Sequence, residues 1–366
     1  MARCARERQV FFVEEPIWVD DGAGAGLDLS RSPEGVVIVV PQLPPFLARD
    51  LDAVERTIAS LVSAFLSEQG ITRPVFWYWT PMALAWTTAI EASAVIYDCM
   101  DELSLFVGAP PQLLPREAEL LFRADLVFTG GRSLFEAKSP RHSSVHLFPS
   151  SIEATHFGRA RCLAEATEPA DQAEIPHPRL GFFGVIDERF DVDLVAGLAV
   201  ARPDWHLVLI GPVVKIDPQS LPKAKNLHFL GGKGYGELPA YLAGWDVALL
   251  PFAANDSTRF ISPTKTPEYL AGGRRVVSTP INDVIEPYGR LGLVEIAQGI
   301  EDFAAAVERC LGATDSQSWL DRVDAHLAQM SWDETWRLMS NEIDAVMETK
   351  RRPARSGARS SPSVFR

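Results

Sequence analysis

Short apolar runs rich in Val, Ile, Leu and Phe recur along the chain, and stretches with helical spacing of apolar positions lie between them. In the first half the runs are Val10–Glu14, Val36–Pro41, Val75–Tyr78, Ala94–Tyr97, Leu126–Thr129 and Val145–Phe148. Continuous apolar runs of this kind mark strands buried on both faces of a parallel sheet. Asp50–Gln69 and Pro115–Arg123 predict helices between them. From Leu163 to Pro178 the pattern lapses into polar, proline-bearing sequence, which predicts a linker. The alternation then restarts, with runs at Arg179–Phe183, His206–Ile210, Leu227–Leu230, Val247–Pro251, Arg275–Ser278 and Val294–Ala297. Two successive β/α series of about 150 residues predict an α/β protein: two doubly wound, Rossmann-like domains with a cleft between them.

The boundaries that follow are 1–162 for an N-terminal, acceptor-side domain, 163–178 for the linker and 179–330 for a C-terminal domain. A closing helix takes 331–349 and a basic tail 350–366. Ser331 and Glu334 have capping-box spacing, and Trp332, Trp336, Met339, Ile343 and Met347 make an apolar stripe. At the front, Arg3–Arg8 reads as the end of a helix leading straight into a strand. A doubly wound domain opens on a strand and a glycine-bearing turn, so a first strand is expected to be missing here.

A length of 366 residues suits two cores, and 47% apolar with 23% charged residues places the chain among globular proteins. No run reaches the roughly 18–20 apolar residues of a membrane span, and the N-terminus lacks a signal-peptide apolar region, so a cytoplasmic location is expected. Cys4, Cys99, Cys162 and Cys310 show no CxxC spacing and read as reduced thiols, neither a disulfide frame nor a metal site. A net charge of −13 argues against nucleic acid as partner. After Glu348 every charge is basic (Lys350, Arg351, Arg352, Arg355, Arg359, Arg366), among Pro, Ser and Gly. That composition predicts a disordered tail, either simply solvated or drawn to the anionic inner face of a membrane.

Ligands of open parallel sheets bind beyond the carboxyl ends of the strands, so the residues there are the candidates. After Val247–Pro251, the residues Arg259, Ser262, Thr264, Lys265 and Glu268 approach or open a helix whose first turn suits Pro263 and Pro267. Free N–H groups there suit phosphate, Lys265 or Arg259 would add a full charge, and Glu268 would accept two hydrogen bonds from a ribose diol. The competing reading is a surface helix whose Glu only offsets the dipole. After Arg179–Phe183, Gly184 lets a phosphate approach the backbone, and Arg189 is a candidate diphosphate ligand. Asp191-Val192-Asp193 spells DxD but falls where a helix begins, which favours an N-cap. The glycine run Gly231–Gly236, which contains Lys233, lacks Walker spacing and would hold a base edge. Gly22–Gly26 opens no helix pattern. In the first half, Asp98, Asp101 and Glu102 follow a strand, with Asp98 either an acceptor-side base or a cap. Gly130 and Gly131 open a helix whose N–H groups would face the cleft. His142 and His146 read as surface histidines, and no metal motif is present.

Ser262–Gly273, followed by Arg275-Val276-Val277-Ser278-Thr279, resembles the PxKxxEYLAxGxPVVS signature of glycosyltransferase family 4 and its bacterial cell-surface polysaccharide and teichuronic-acid relatives. Phe183-Gly184, His228–Gly232, Trp245–Phe252, Val95–Glu102, Ala124–Thr129 and Phe148–Glu153 with Phe157 fit the same family. The resemblance implies a two-lobed GT-B fold and hexosyl transfer from a nucleotide-diphosphate sugar held by the C-terminal domain. It further implies an acceptor, carbohydrate or lipid-linked, on the N-terminal domain, retention, no metal, no cofactor, and a final helix crossing back. Carried over, Glu268 holds the ribose, Lys265 or Arg259 the diphosphate, and Lys233 flanks the base; Lys265, Asp98 and Asp101 are the catalytic candidates. One departure is clear: the acidic residue eight positions before the family's glutamate is here Phe260. A UDP-sugar epimerase on the same fold and a truncated, non-catalytic homologue are the alternatives.

Overall fold

A computed structural model describes residues 1–20, 22, 24–162 and 167–351. The basic tail from residue 352, and the part of the linker at 163–166, lie outside the described residues. Two compact units result: Met1–Tyr97 with Glu119–Leu126 and the chain from Trp336 onward, and Asp98–Ala118 with Val127–Thr335.

In the first unit β1 (Phe11–Val13) and β2 (Ile17–Trp18) run parallel to β4 (Val37–Leu43), while β3 (Gly26–Arg31) lies antiparallel to it. The apolar-run criterion misses β3 because Leu27 and Leu29 alternate with Asp28 and Ser30 on a strand whose last four residues are exposed. β5 (Val75–Tyr78) pairs in parallel with β6 (Ala94–Cys99). The Leu51–Glu68 helix starts where Asp50 Oδ1 accepts the Ala53 N–H at 2.9 Å, and its Val54, Ile58, Val62 and Leu66 pack with Leu43. The final helix, Trp332–Arg351, buries Ile343 in this unit. Trp336 stacks on Trp77 at 6.4 Å between ring centroids, and Lys350 pairs with Asp125 at 2.6 Å.

In the second unit β7 (Leu126–Thr129) pairs through Val127 with β8 (Val145–Leu147). The main sheet comprises β9 (Arg179–Phe183), β10 (His206–Ile210), β11 (Leu227–Gly231), β12 (Val247–Leu250), β13 (Arg275–Ser278) and β14 (Val294–Ile296). Its order is β11-β10-β9-β12-β13-β14 and every pairing is parallel. β9 and β12 are buried along their whole lengths, the strongest form of the two-faced burial the sequence predicts. Winding reverses at β9, so the carboxyl ends of β9, β10 and β12 form the switch point where such sheets take ligands. The sheet closes tightly there because Gly181 has no side chain: a Cβ would fall 1.8 Å from the ring of buried Trp245. Trp245 Nε1 donates to Gln172 Oε1 at 2.9 Å, so the expected linker is pinned to the core by the short Ala170–Ala173 helix rather than running free.

Candidate functional site

The Lys265–Ala271 helix is docked on the end of β9 by Tyr269, which is fully buried beside Phe183 and Trp245. This docking lays the Lys265 side chain across Gly184. A Cβ at 184 would stand 2.1 Å from Lys265 Cε, and Gly184 itself has φ +149°. The Gly184 carbonyl in turn touches Gly211 at the end of β10, where a Cβ would lie 1.8 Å from it. Two close approaches at one switch point leave a cation resting on bare backbone.

Lys265 and Glu268 perturb each other. Burial pushes the Glu268 carboxyl up to about 7, with the Lys265 charge opposing the rise. Burial likewise pulls the Lys265 ammonium below its ordinary value; Glu268 opposes this and Arg189 adds to it. A carboxyl and an amine both shifted toward neutrality by burial do not behave as a solvated surface pair. Tyr235, in the glycine run, senses Glu268 and Glu153 and stacks on His156 at 4.3 Å.

Arg189 is held by a residue the sequence reading did not single out. Buried Asp187 accepts from the Arg189 backbone N–H at 3.0 Å, from Nε at 3.0 and 3.1 Å, and from Nη2 at 2.7 Å. Burial raises the Asp101 carboxyl above its ordinary value, and the Arg189 charge offsets only part of that rise. Asp98 is buried at the end of β6, and Glu102 accepts a hydrogen bond from buried Lys138 at 2.6 Å. The structure therefore brings Gly184, Arg189, Lys265, Glu268 and Asp101 into one electrostatic neighbourhood.

Other candidates are engaged differently. Lys233 donates to Asp171 at 2.5 Å and lies over the Tyr241 ring at 5.4 Å, a clasp on the linker. Arg259 is exposed over Phe260 at 5.1 Å, and Thr264 is an exposed N-cap without a side-chain hydrogen bond. Asp191 caps its helix as expected, accepting the Leu194 N–H at 2.8 Å. In the helix opened by Gly130 and Gly131 one of the first N–H groups is already engaged. Asp283 accepts from Ser133 N–H at 3.0 Å and Ser133 Oγ at 2.5 Å, and a Cβ on Gly131 would collide with Asp283 and with Ser262. Asp283 lies 150 positions from its partner, so no local motif announces it. No group of His, Cys, Asp and Glu suited to a metal ion occurs among the described residues, and no helix there is long and apolar enough to cross a membrane.

The fold is that of the GT-B glycosyltransferases. Sucrose-phosphate synthase from Thermosynechococcus elongatus superposes with a TM-score of 0.69 at 16% identity, over 95% of this chain and 91% of its own. The trehalose 6-phosphate synthase of Burkholderia multivorans gives 0.67 at 11% identity, over 93% and 99%. Anabaena HepE, solved with UDP and glucose, gives 0.62 at 13% identity, over 85% and 87%. Within that fold, residues 177–313 match the family model described as Glycosyl transferases group 1. A protein named for teichuronic acid biosynthesis, the glycosyltransferase TuaH of Bacillus subtilis (strain 168), is 24% identical over 272 residues, 68% of this chain. The chain spans 66% of that relative's length, just under two thirds. The matched domain and the relative agree with the resemblance read from Ser262–Thr279.

Proposed function

We propose that the chain transfers a sugar from a nucleoside-diphosphate donor, a UDP-sugar first among them, to a carbohydrate or lipid-linked acceptor. Transfer proceeds with retention and without a metal or other cofactor, in the cytoplasm or at the inner face of its membrane. The observation that carries this reading is Lys265 lying across Gly184, one helical turn from Glu268, at the switch point of the matched domain. The Anabaena structure, solved with UDP and glucose, supports a uridine donor.

In this reading Glu268 accepts the ribose hydroxyls in its ionised form. Lys265 and Arg189 face the diphosphate and offset the charge it gains as its bond to the anomeric carbon breaks with the electron pair. The acceptor hydroxyl forms the new bond and gives up its proton. Asp98 and Asp101 stand on the acceptor side, where a carboxyl raised by burial, as Asp101's is, suits holding a sugar hydroxyl or taking a proton. Isothermal titration of the full chain with UDP, GDP and ADP tests the donor assignment. UDP binding that is lost in Lys265→Ala is the expected result; binding of none of the three overturns it.

A further inference from the structure

Lys215 is the only non-glycine residue with positive φ among the described residues, at +61°. A lysine held in this left-handed region costs more than a glycine would. Its local partners give little in return. Its Nζ stands 3.5 Å from Glu188 Oε1 with nearly half the lysine side chain exposed, and such pairs add little to stability. Strain of this kind persists where the side chain serves a site.

The place of that side chain is specific. Lys215 follows the carboxyl end of β10 by five residues, beyond Gly211. Its ammonium lies 5.0 Å from the centroid of the Phe106 ring, and the Arg189 guanidinium lies 5.3 Å from the same ring. Phe106 is fixed by its own segment: the Val107 N–H meets Glu188 Oε1 at 3.4 Å, the carboxylate that also faces Lys215. Two cations from the loops after β9 and β10 thus converge on one aromatic ring. Arg189 already acts electrostatically on Lys265.

We infer that Lys215 is a further binding cation for the phosphate groups of a nucleoside diphosphate, with Phe106 as the positioning residue that presents it. The inference rests on the donor reading above. The sequence offers no motif for Lys215, because only its backbone conformation and its distant neighbours distinguish it.

Replacing Lys215 by glycine separates charge from backbone. Lys215→Gly relieves the left-handed strain, so its urea midpoint stays level or rises. UDP affinity falls about tenfold, the weight of one charge-assisted contact, and uridine affinity does not change. Lys215→Met keeps the strain without the charge, so it shows the same loss of UDP affinity at a lower midpoint than Lys215→Gly. Phe106→Leu weakens UDP binding in the same direction, and combining it with Lys215→Gly adds little. A Lys215→Gly chain that binds UDP as the unaltered chain does overturns the inference alone. Equal losses for UDP and uridine also overturn it. An unaltered chain that binds no UDP overturns the donor reading and takes this inference with it.

Discussion

The phenol of Tyr269 meets the backbone of Phe183 twice: its oxygen accepts the Phe183 N–H at 2.9 Å, and its own O–H donates to the Phe183 carbonyl at 3.3 Å. Phe183 ends β9, and Gly184 is the next residue. Tyr269 sits one helical turn after Lys265. The tie therefore sets the distance between the helix that carries the charge and the backbone that receives it. Tyr269 is fully buried, which pushes its hydroxyl well above the ordinary tyrosine range and keeps it a neutral donor.

Tyr269→Phe leaves a buried N–H and a buried carbonyl with one partner fewer. It should cost about 1–3 kcal/mol in urea unfolding. UDP affinity should fall as well, since the helix loses its alignment on Gly184. A variant of unchanged stability and unchanged UDP affinity would show that packing against Trp245 alone places the helix.

Gly184→Ala places a Cβ 2.1 Å from Lys265 Cε at a φ of +149° that alanine resists. The far end of a lysine can move, so the main loss is in ligand binding: UDP affinity should drop at least about tenfold, one charged contact's worth. Gly26→Ala, on the edge strand β3, is the control, because nothing lies within 4 Å of its Cβ position. Equal UDP affinity for the two variants, read by titration calorimetry, would sink the proposal that Lys265 must rest on bare backbone.

The C-terminal sheet was legible because its strands are buried on both faces. Arg179–Phe183, His206–Ile210 and Arg275–Ser278 have the bounds their apolar runs predict. The edge strand β3 was not, since half-exposed alternation leaves no continuous run. The helix bearing Lys265 and Glu268 was readable from local chemistry, its prolines and charges standing within a few residues of each other. Asp187 hid behind the more conspicuous Arg189, although their spacing of two residues was a usable signal. Asp283 and Lys215 were not readable: one acts on a helix 150 positions away and the other is marked by a dihedral angle.

The Glu268 carboxyl titrates near 7 in the fold against 4.5 as a free side chain. Folding therefore favours its protonated form. That contribution is fully present below pH 4.5 and is lost as pH rises to about 7, so stability should decline across this window by up to about 3 kcal/mol. Ribose binding asks for the ionised form. UDP affinity should therefore rise as pH climbs through about 7, with a proton released on binding, and decline again where the depressed Lys265 ammonium discharges. Glu268→Gln should flatten the first limb of the affinity profile. Calorimetry in buffers of different ionisation enthalpy reads the proton directly, and no proton release at pH 6.5 would count against Glu268 as the ribose ligand.

Lys138 is fully buried, donating to Glu102 at 2.6 Å and to Glu117 at 2.5 Å, while Arg141 holds the other Glu117 oxygen at 2.8 Å. Burial alone would raise the Glu117 carboxyl, and the Lys138 and Arg141 contacts more than reverse it. This network fastens the segment that carries Asp98 and Asp101 to the Arg132–Lys138 helix. Lys138→Met removes the buried cation that Glu102 and Glu117 share, which should cost about 3–5 kcal/mol in urea unfolding. Lys138→Met combined with Glu117→Gln should lose less than Lys138→Met alone, because one uncompensated charge is gone and the half-exposed Arg141 can turn to water. The sign of that coupling separates electrostatic repair from simple loss of packing: two independent packing defects would instead add.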